Sequence, residues 1–225
     1  MCVAYAEGKR NVNSKETQMY AVAFNGSPRK GGNTQQLLEA TLAPLAKAGW
    51  ETELVQVGGK SIRGCTACFK CLEKKDGRCS IKKDIVNDCI EKMARADAII
   101  IGSPTYFAAV ASDIKALIDR SGFVAHVNGG MFAGKVGAAV VAVRRGGATH
   151  VFDTINHMFQ MSRMVLPGST YWNMGYGLNK GDVAQDTEGL ANMHNLGEMI
   201  GWVAGALAPV MGKLPQPGGA AREEG

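Results

Sequence analysis

The sequence has no apolar run long enough to cross a membrane. Its longest apolar stretch, residues 199–211, is shorter than the roughly 20 residues of a spanning helix, and Pro209 interrupts it. Residues 1–18 are mostly polar and lack the apolar core of about 7–15 residues that a secretory signal contains. We therefore expect a cytoplasmic protein with no membrane partner.

The sequence also has little excess charge. The formal net charge is +5, and six positive side chains cluster between residues 70 and 83. No aromatic-rich basic platform accompanies this cluster, so we expect no nucleic-acid partner. A solvated surface that faces a partner accounts for the cluster better.

Two common phosphate-binding signatures are absent. A P-loop ends in Gly-Lys-Ser/Thr, whereas Gly31 is followed by Gly and Asn. The dinucleotide fingerprint G-x-G-x-x-G is broken after Gly26 by Ser and Pro. Residues 24–34 nevertheless form a loop rich in glycine and polar residues, between a strand pattern and a helix pattern.

A loop of this kind between a strand and a helix aims backbone N–H groups at a phosphate. Asn33 suits the N-cap of the helix, and Gln36 completes the form of a capping box. Arg29 and Lys30 add positive charge, and an arginine can bind two phosphate oxygens at once. The alternative is an ordinary turn between a strand and a helix.

Five strand patterns alternate with five helix patterns, which predicts a parallel sheet covered on both faces. We expect strands at residues 19–24, 51–57, 97–102, 136–143 and 164–166, and helices at 33–47, 84–95, 108–120, 149–161 and 185–207. Residues 171–182 are expected to form an irregular loop. The predicted domain spans residues 19–213 with a Cys-rich insertion at 58–80, between a flexible arm (1–18) and a disordered tail (214–225).

The class expected is α/β, a flavodoxin-like three-layer sandwich with strand order 2-1-3-4-5. In that order strands one and three are neighbours, and ligands bind where the order reverses, beyond the carboxyl ends of the strands. The loops after strands one and three would fill this crevice. They are the two most distinctive loops in the chain, and their agreement indicates an FMN site.

Two sets of residues resemble a known family. Residues 25–29 (Asn-Gly-Ser-Pro-Arg), 32–34 (Gly-Asn-Thr) and 102–107 (Gly-Ser-Pro-Thr-Tyr-Phe) resemble the flavodoxin-fold NADPH-dependent FMN reductases. The run Cys-x2-Cys-x2-Cys-x7-Cys over residues 65–79 resembles the iron–sulfur flavoprotein branch of that family. The resemblance covers residues 19 to about 207.

The resemblance implies three groups of FMN-binding residues. Those at the phosphate are Ser27, Arg29, Gly32, Asn33 and Thr34. Those beside the isoalloxazine ring are Ser103, Pro104, Thr105, Tyr106 and Phe107. Those at the pyrimidine end are Arg144, Arg145, Gly146 and Gly147. The alternatives are a packing pair for the two aromatic residues and a solvated strand end for the two arginines. No catalytic side chain is expected, because the flavin itself carries the chemistry.

The cysteine run admits three interpretations. Cys65, Cys68, Cys71 and Cys79 would ligate one [4Fe–4S] cluster, as ferredoxin-type runs do. Four thiolates also suit zinc, although structural zinc usually draws on two separated Cys-x2-Cys pairs. Free thiols are the third alternative. Cys89 lies on the apolar face of a predicted helix and is expected in the core.

The resulting hypothesis is an NAD(P)H-dependent FMN oxidoreductase or electron-transfer iron–sulfur flavoprotein that serves a small-molecule or protein redox partner. The first alternative is a cluster-free NAD(P)H-dependent reductase of flavin or quinone. The others are a non-enzymatic carrier like flavodoxin and a zinc-stabilised interaction module. The resemblance also implies a homodimer or homotetramer.

Overall fold

Parallel strands form the centre of the molecule in a computed structural model that describes residues 18–211. The strands are β1 (Tyr20–Asn25), β2 (Glu51–Gln56), β3 (Ala98–Tyr106), β4 (Ala109–Val110), β5 (Val136–Val143) and β6 (Met174–Tyr176). The helices are α1 (Asn33–Lys47), α2 (Lys70–Lys74), α3 (Val86–Arg95), α4 (Ser112–Val127), α5 (Ala148–Met161) and α6 (Thr187–Leu207), with a 3-10 turn at Asp182–Gln185. The predicted arm and tail, and Cys2, lie almost entirely outside the described residues.

The strand order is β2-β1-β3-β5-β6, with every neighbour on this path parallel. The predicted order is therefore confirmed, but the fifth strand was placed wrongly. Val165 makes only an isolated bridge to Val136, whereas β6 lies within the expected irregular loop. A sixth strand, β4, pairs antiparallel with the end of β3.

Two layers of helices cover the sheet because its central strands carry apolar residues on both faces. Alternate residues of a strand point to opposite faces. Ala23 and Ile100 pack in the core formed with α1 and α6, whereas Val22 and Ile99 pack in the core formed with α3, α4 and α5. Continuous apolar strands of this type are typical of parallel sheets buried on both faces.

Two helices differ from expectation. α4 begins four residues later than predicted, at Ser112, because the chain first turns back through β4, and it ends at Val127 rather than at residue 120. α2, within the Cys-rich insertion, was not predicted. α1 has its predicted bounds and continues past Pro44 to Lys47. Within residues 18–211, no helix combines the length and the apolar composition that a bilayer crossing requires.

Candidate functional site

Three loops meet at the carboxyl edge of the sheet, because β1, β3 and β5 are neighbours. The first follows β1 (residues 26–32, the phosphate loop), the second joins β3 to β4 (the hairpin), and the third follows β5 (residues 144–147). Gly26 N donates to Gly102 O over 2.8 Å. A Cβ on Gly147 would lie 3.2 Å from Thr105 Cγ2, so the third loop contacts the hairpin.

Buried polar groups fix the shape of the phosphate loop. Asn25 is fully buried, and its Oδ1 accepts from Ser27 N at 3.0 Å. The Gln56 amide donates to the carbonyl oxygens of Ser27 and Gly58, each over 2.7 Å. A Cβ on Gly58 would lie 2.3 Å from Gly26 O, so only glycine fits there. Sequence reasoning missed Gln56 and Gly58, whose only signal is their place at the end of β2 and just after it.

The phosphate loop leads directly into the open start of α1. The first i→i−4 bond of the helix runs from Gln36 N to Gly32 O over 3.1 Å. The N–H groups of Asn33, Thr34 and Gln35 precede it and have no partner within the helix. They point beyond the amino end of α1, where an anion is favoured.

Asn33 does not cap the helix, so the predicted capping box is wrong. Gly32 is the N-cap residue, and no side chain caps the helix start. Asn33 reaches instead to the segment after β6: its Nδ2 donates to Asn179 O over 2.9 Å, and its Oδ1 accepts from Gly181 N and Val183 N. A side chain that already binds three backbone groups elsewhere is not available to cap α1.

The segment after β6 (residues 177–182) supplies a further positive charge that sequence reasoning missed. Arg29 Nη1 donates to Leu178 O over 3.2 Å, which holds this exposed arginine beside the phosphate loop. A Cβ on Gly31 would lie 3.5 Å from Lys180 Nζ. Lys180 lies far from the loop in sequence, and only the position of β6 brings it there.

The hairpin presents one aromatic side chain fully to solvent and one hydroxyl to the interior. Phe107 is fully exposed and Tyr106 is 44% exposed. Positive φ angles at Phe107 (45°) and Ala108 (66°) form its tight turn. Thr105 Oγ1 is the one buried side-chain oxygen or nitrogen without a hydrogen-bond partner in the described part of the chain. Such a group is costly unless a ligand satisfies it.

Other predicted flavin residues hold the loops in place. Ser103 Oγ donates to Pro104 O and accepts from Ala111 N, so this hydroxyl braces the hairpin. Gly147, at φ 91°, begins α5. Arg144 and Arg145 are exposed at the end of β5, and the structure places them at the same edge as the other loops.

The four cysteines lie along α4 in residues 63–81, which we call the cysteine segment. Cys65 and Cys68 are exposed, Cys71 is buried and Cys79 is partly buried. A hydrogen bond with Ser80, 3.1 Å away, lowers the pKa of the Cys68 thiol. Burial raises the pKa of the Cys71 thiol. Cys89 is buried on the apolar face of α3, as expected.

The described cysteines do not converge into a finished metal site. Across residues 18–211, no three His, Cys, Asp or Glu side chains are arranged to hold a metal ion. The backbone around Cys68 is nevertheless unusual, because Ala67 (φ 49°) and Phe69 (φ 55°) are both left-handed. Strain of this kind in residues other than glycine is commonly found at ligand sites.

Comparison with known proteins decides the family. The model of the NADPH-dependent FMN reductase family matches residues 19–179. The chain belongs to this family. Membership in the FMN reductase family confirms the predicted FMN-dependent oxidoreductase.

Several curated relatives of this chain are named iron–sulfur flavoproteins, which confirms the predicted branch. One from Methanocaldococcus jannaschii is 35% identical over 194 residues, covering 81% of this chain and 95% of the relative. One from Archaeoglobus fulgidus is 38% identical over 157 residues, covering 69% of this chain and 75% of the relative.

Solved structures confirm the flavodoxin-like fold of this chain. A Trp repressor binding protein from Bacillus subtilis superposes with a TM-score of 0.57 at 19% identity, over 78% of this chain and 98% of that structure. A WrbA-like flavodoxin from Agrobacterium tumefaciens gives 0.55 at 15% identity, over 83% and 98%.

Proposed function

We propose that this chain binds FMN at the carboxyl edge of its sheet and passes electrons between NAD(P)H or a redox partner and an acceptor, through FMN and one [4Fe–4S] cluster. The observation that carries the flavin part is the meeting of three loops, one opening onto the start of α1. When bound, FMN supplies two-electron exchange with a nicotinamide and one-electron exchange with a metal centre.

Each of the three loops would contact a different part of FMN. The N–H groups at the start of α1, with Ser27, Arg29 and Thr34, would bind the phosphate, and Lys180 would add charge there. The unpartnered Thr105 hydroxyl would bind the ring from the hairpin. The exposed Tyr106 and the arginines after β5 would border the ring, where a cation stabilises the reduced, anionic flavin.

A direct test of the phosphate assignment is a titration of the flavin-free protein with FMN and with riboflavin. We expect riboflavin to bind far more weakly, because it lacks the phosphate for which the α1 site is suited. Equal affinities for FMN and riboflavin would contradict the role of the phosphate loop in binding the cofactor. Such a result would not contradict the fold.

Three observations support the cluster. Four thiols lie within one short segment, the backbone on either side of Cys68 is strained, and relatives over most of the chain are named iron–sulfur flavoproteins. Cys65, Cys68, Cys71 and Cys79 would be the four ligands. Their thiolates suit iron–sulfur clusters, and no second cysteine set would compete for them.

The decisive experiment is anaerobic purification followed by absorption spectroscopy and iron and sulfide analysis. We expect brown protein with about four iron and four sulfide per chain. Replacing any of the four cysteines by alanine should remove most of the iron and leave FMN bound, whereas Cys89→Ala should change neither. Protein with full FMN, no iron and four alkylatable thiols would contradict the cluster.

The second candidate is a cluster-free reductase of flavin or quinone, and the open arrangement of the cysteines favours it. One relative, from Trichlorobacter lovleyi, is named an NAD(P)H dehydrogenase (quinone) and is 30% identical over 133 residues, covering 53% of this chain and 64% of the relative. Steady-state NAD(P)H oxidation with quinone separates this candidate from a carrier, which would show little turnover.

A cytoplasmic homodimer or homotetramer is the proposed assembly. Trp202 on α6 is 71% exposed and Met161 at the end of α5 is 65% exposed, and both side chains are candidates for a contact between copies of the chain. Sedimentation of the wild type and of Trp202→Ser would test the assembly. A monomeric wild type would contradict it.

A further inference from the structure

Arg120 is a buried cation in the middle of α4 that the flavin site does not use. Its side chain is fully buried, and it forms an ion pair with Asp84, whose side chain is 4% exposed. The arginine lies on the apolar face of the helix with Leu117 and Val124. Burying such a pair costs desolvation that a well-packed apolar pair of similar volume would avoid.

The donors of Arg120 go to both ends of the cysteine segment. Nη1 donates to Arg63 O and Nη2 to Ile81 O, each over 3.0 Å. Asp84 accepts from Arg63 N at 3.3 Å. The ion pair therefore binds both backbone groups of Arg63 on one side and the chain just after Cys79 on the other.

The remaining donor reaches a sulfur. Arg120 Nε lies 3.3 Å from Cys79 Sγ. The neighbouring Asn87 fixes the backbone of the same cysteine, accepting from Cys79 N at 2.7 Å and donating to Cys79 O over 3.0 Å. Cys79 is thus held at its N–H, its carbonyl and its sulfur by other residues of the chain.

We infer that Arg120 is a positioning residue of the iron–sulfur site. It closes the cysteine segment at both ends, presents Cys79 as the anchored ligand, and donates a hydrogen bond to its sulfur. This inference rests on the proposed cluster. Hydrogen bonds to coordinating sulfurs favour the reduced, more negative cluster, so Arg120 would raise its reduction potential.

The variant that tests this is Arg120→Lys, which keeps the charge beside Asp84 but cannot donate to a sulfur and two carbonyls together. The double variant Arg120→Gln with Asp84→Asn removes both charges and avoids an unpaired buried one. Lys115→Gln is the matched control, because it breaks an exposed ion pair with Asp119 on the same helix.

We expect both Arg120 variants to bind less iron per chain, and the cluster that remains to have a lower midpoint potential than in wild type and in Lys115→Gln. A role in folding alone would not shift the potential. Wild-type iron content with an unchanged potential in both Arg120 variants would overturn the inference.

The metal-free protein provides a separate measurement by hydrogen–deuterium exchange. Peptides covering residues 63–81 should exchange about tenfold faster in the Arg120 variants, the scale of one hydrogen bond to a charged group, while β1 and α1 should be unchanged. Unchanged exchange in the segment would refute the closing role, even if the wild type held no cluster. Wild type without iron would instead refute the cluster.

Discussion

Arg29 tests the phosphate loop at the scale of one side chain. We predict that Arg29→Ala weakens FMN binding by roughly 1.5–3 kcal/mol, the scale of a charge-assisted hydrogen bond. The loop itself should persist, because the Arg29 side chain donates to Leu178 O, in the segment after β6, rather than to an atom of the loop. A flavin titration measures the loss. Lys47→Ala, at the far end of α1, is the control and should bind FMN as the wild type does.

Replacing the Thr105 hydroxyl should have opposite effects on stability and on FMN binding. Because its buried hydroxyl has no partner, Thr105→Val should stabilise the flavin-free protein by about 1 kcal/mol. The same change should weaken FMN binding, because the hydroxyl is the group left for the ligand. Urea unfolding and flavin titration measure the two effects.

Thr41 provides the matched control for Thr105. Its hydroxyl is also buried but donates to Leu37 O over 3.0 Å. Thr41→Val should therefore lower stability slightly and leave FMN binding unchanged. If Thr105→Val bound FMN as tightly as the wild type, the hydroxyl would be unrelated to the flavin.

The sequence indicated which residues could bind a ligand, but it did not indicate which groups of the protein they contact. The phosphate loop could be recognised from its glycines and its charge. The sequence could not show that Asn33 binds the segment after β6. The same asparagine side chain suits a helix cap and a link between residues more than 140 positions apart. In the sequence, Arg120 stands out only as a charged residue on an apolar helix face. That pattern alone does not show that the charge is buried or what it contacts.

Among elements, the longer strands β1, β2, β3 and β5 could be predicted, whereas the short strands β4 and β6 could not. β5 has the predicted bounds, because all eight of its residues are apolar or glycine and all are buried. β6 has three residues, and Gly175 is among them because a Cβ would lie 2.6 Å from Leu37 Cδ2. Close packing against α1 requires a glycine at this position. In the sequence, however, a glycine in so short a segment indicates a loop.

The contact between the phosphate loop and the end of β2 gives a prediction at this scale. Gly58→Ala would press a Cβ against the Gly26 carbonyl, so we expect a loss of stability of about 1–3 kcal/mol and weaker FMN binding. Thermal unfolding and flavin titration measure both. Gly205→Ala, where a Cβ meets nothing within 4 Å, should stabilise α6 by roughly 0.5–1 kcal/mol. Equal effects of the two changes would contradict the steric argument.

For the whole molecule, one network joins β1, β2 and α3 and makes stability depend on alkaline pH. The Tyr20 hydroxyl donates to Glu53 over 2.6 Å, Lys92 pairs with Glu53 at 2.7 Å, and the Arg95 guanidinium lies 4.0 Å above the Tyr20 ring. Burial, together with the bond to Glu53, raises the pKa of Tyr20 from 10.0 to about 12.

The raised pKa of Tyr20 sets the sign of the effect. Because the folded protein holds this proton more tightly, its contribution is complete below pH 10.0 and is lost as the pH rises to about 12. Tyr20→Phe should be less stable at neutral pH by about 1 kcal/mol and should lose less stability over the alkaline range. Urea unfolding at several pH values compares the two. Parallel pH curves would contradict the assignment.

The three hydrogen bonds of Asn33 have a kinetic consequence. They join the start of α1 to the segment after β6, so this segment cannot move away from the amino end of α1 without breaking them. A cofactor held between α1 and this segment would leave only during rare openings. Its residence time would then exceed what phosphate contacts alone provide, and the protein would retain its flavin through dilution and repeated turnover.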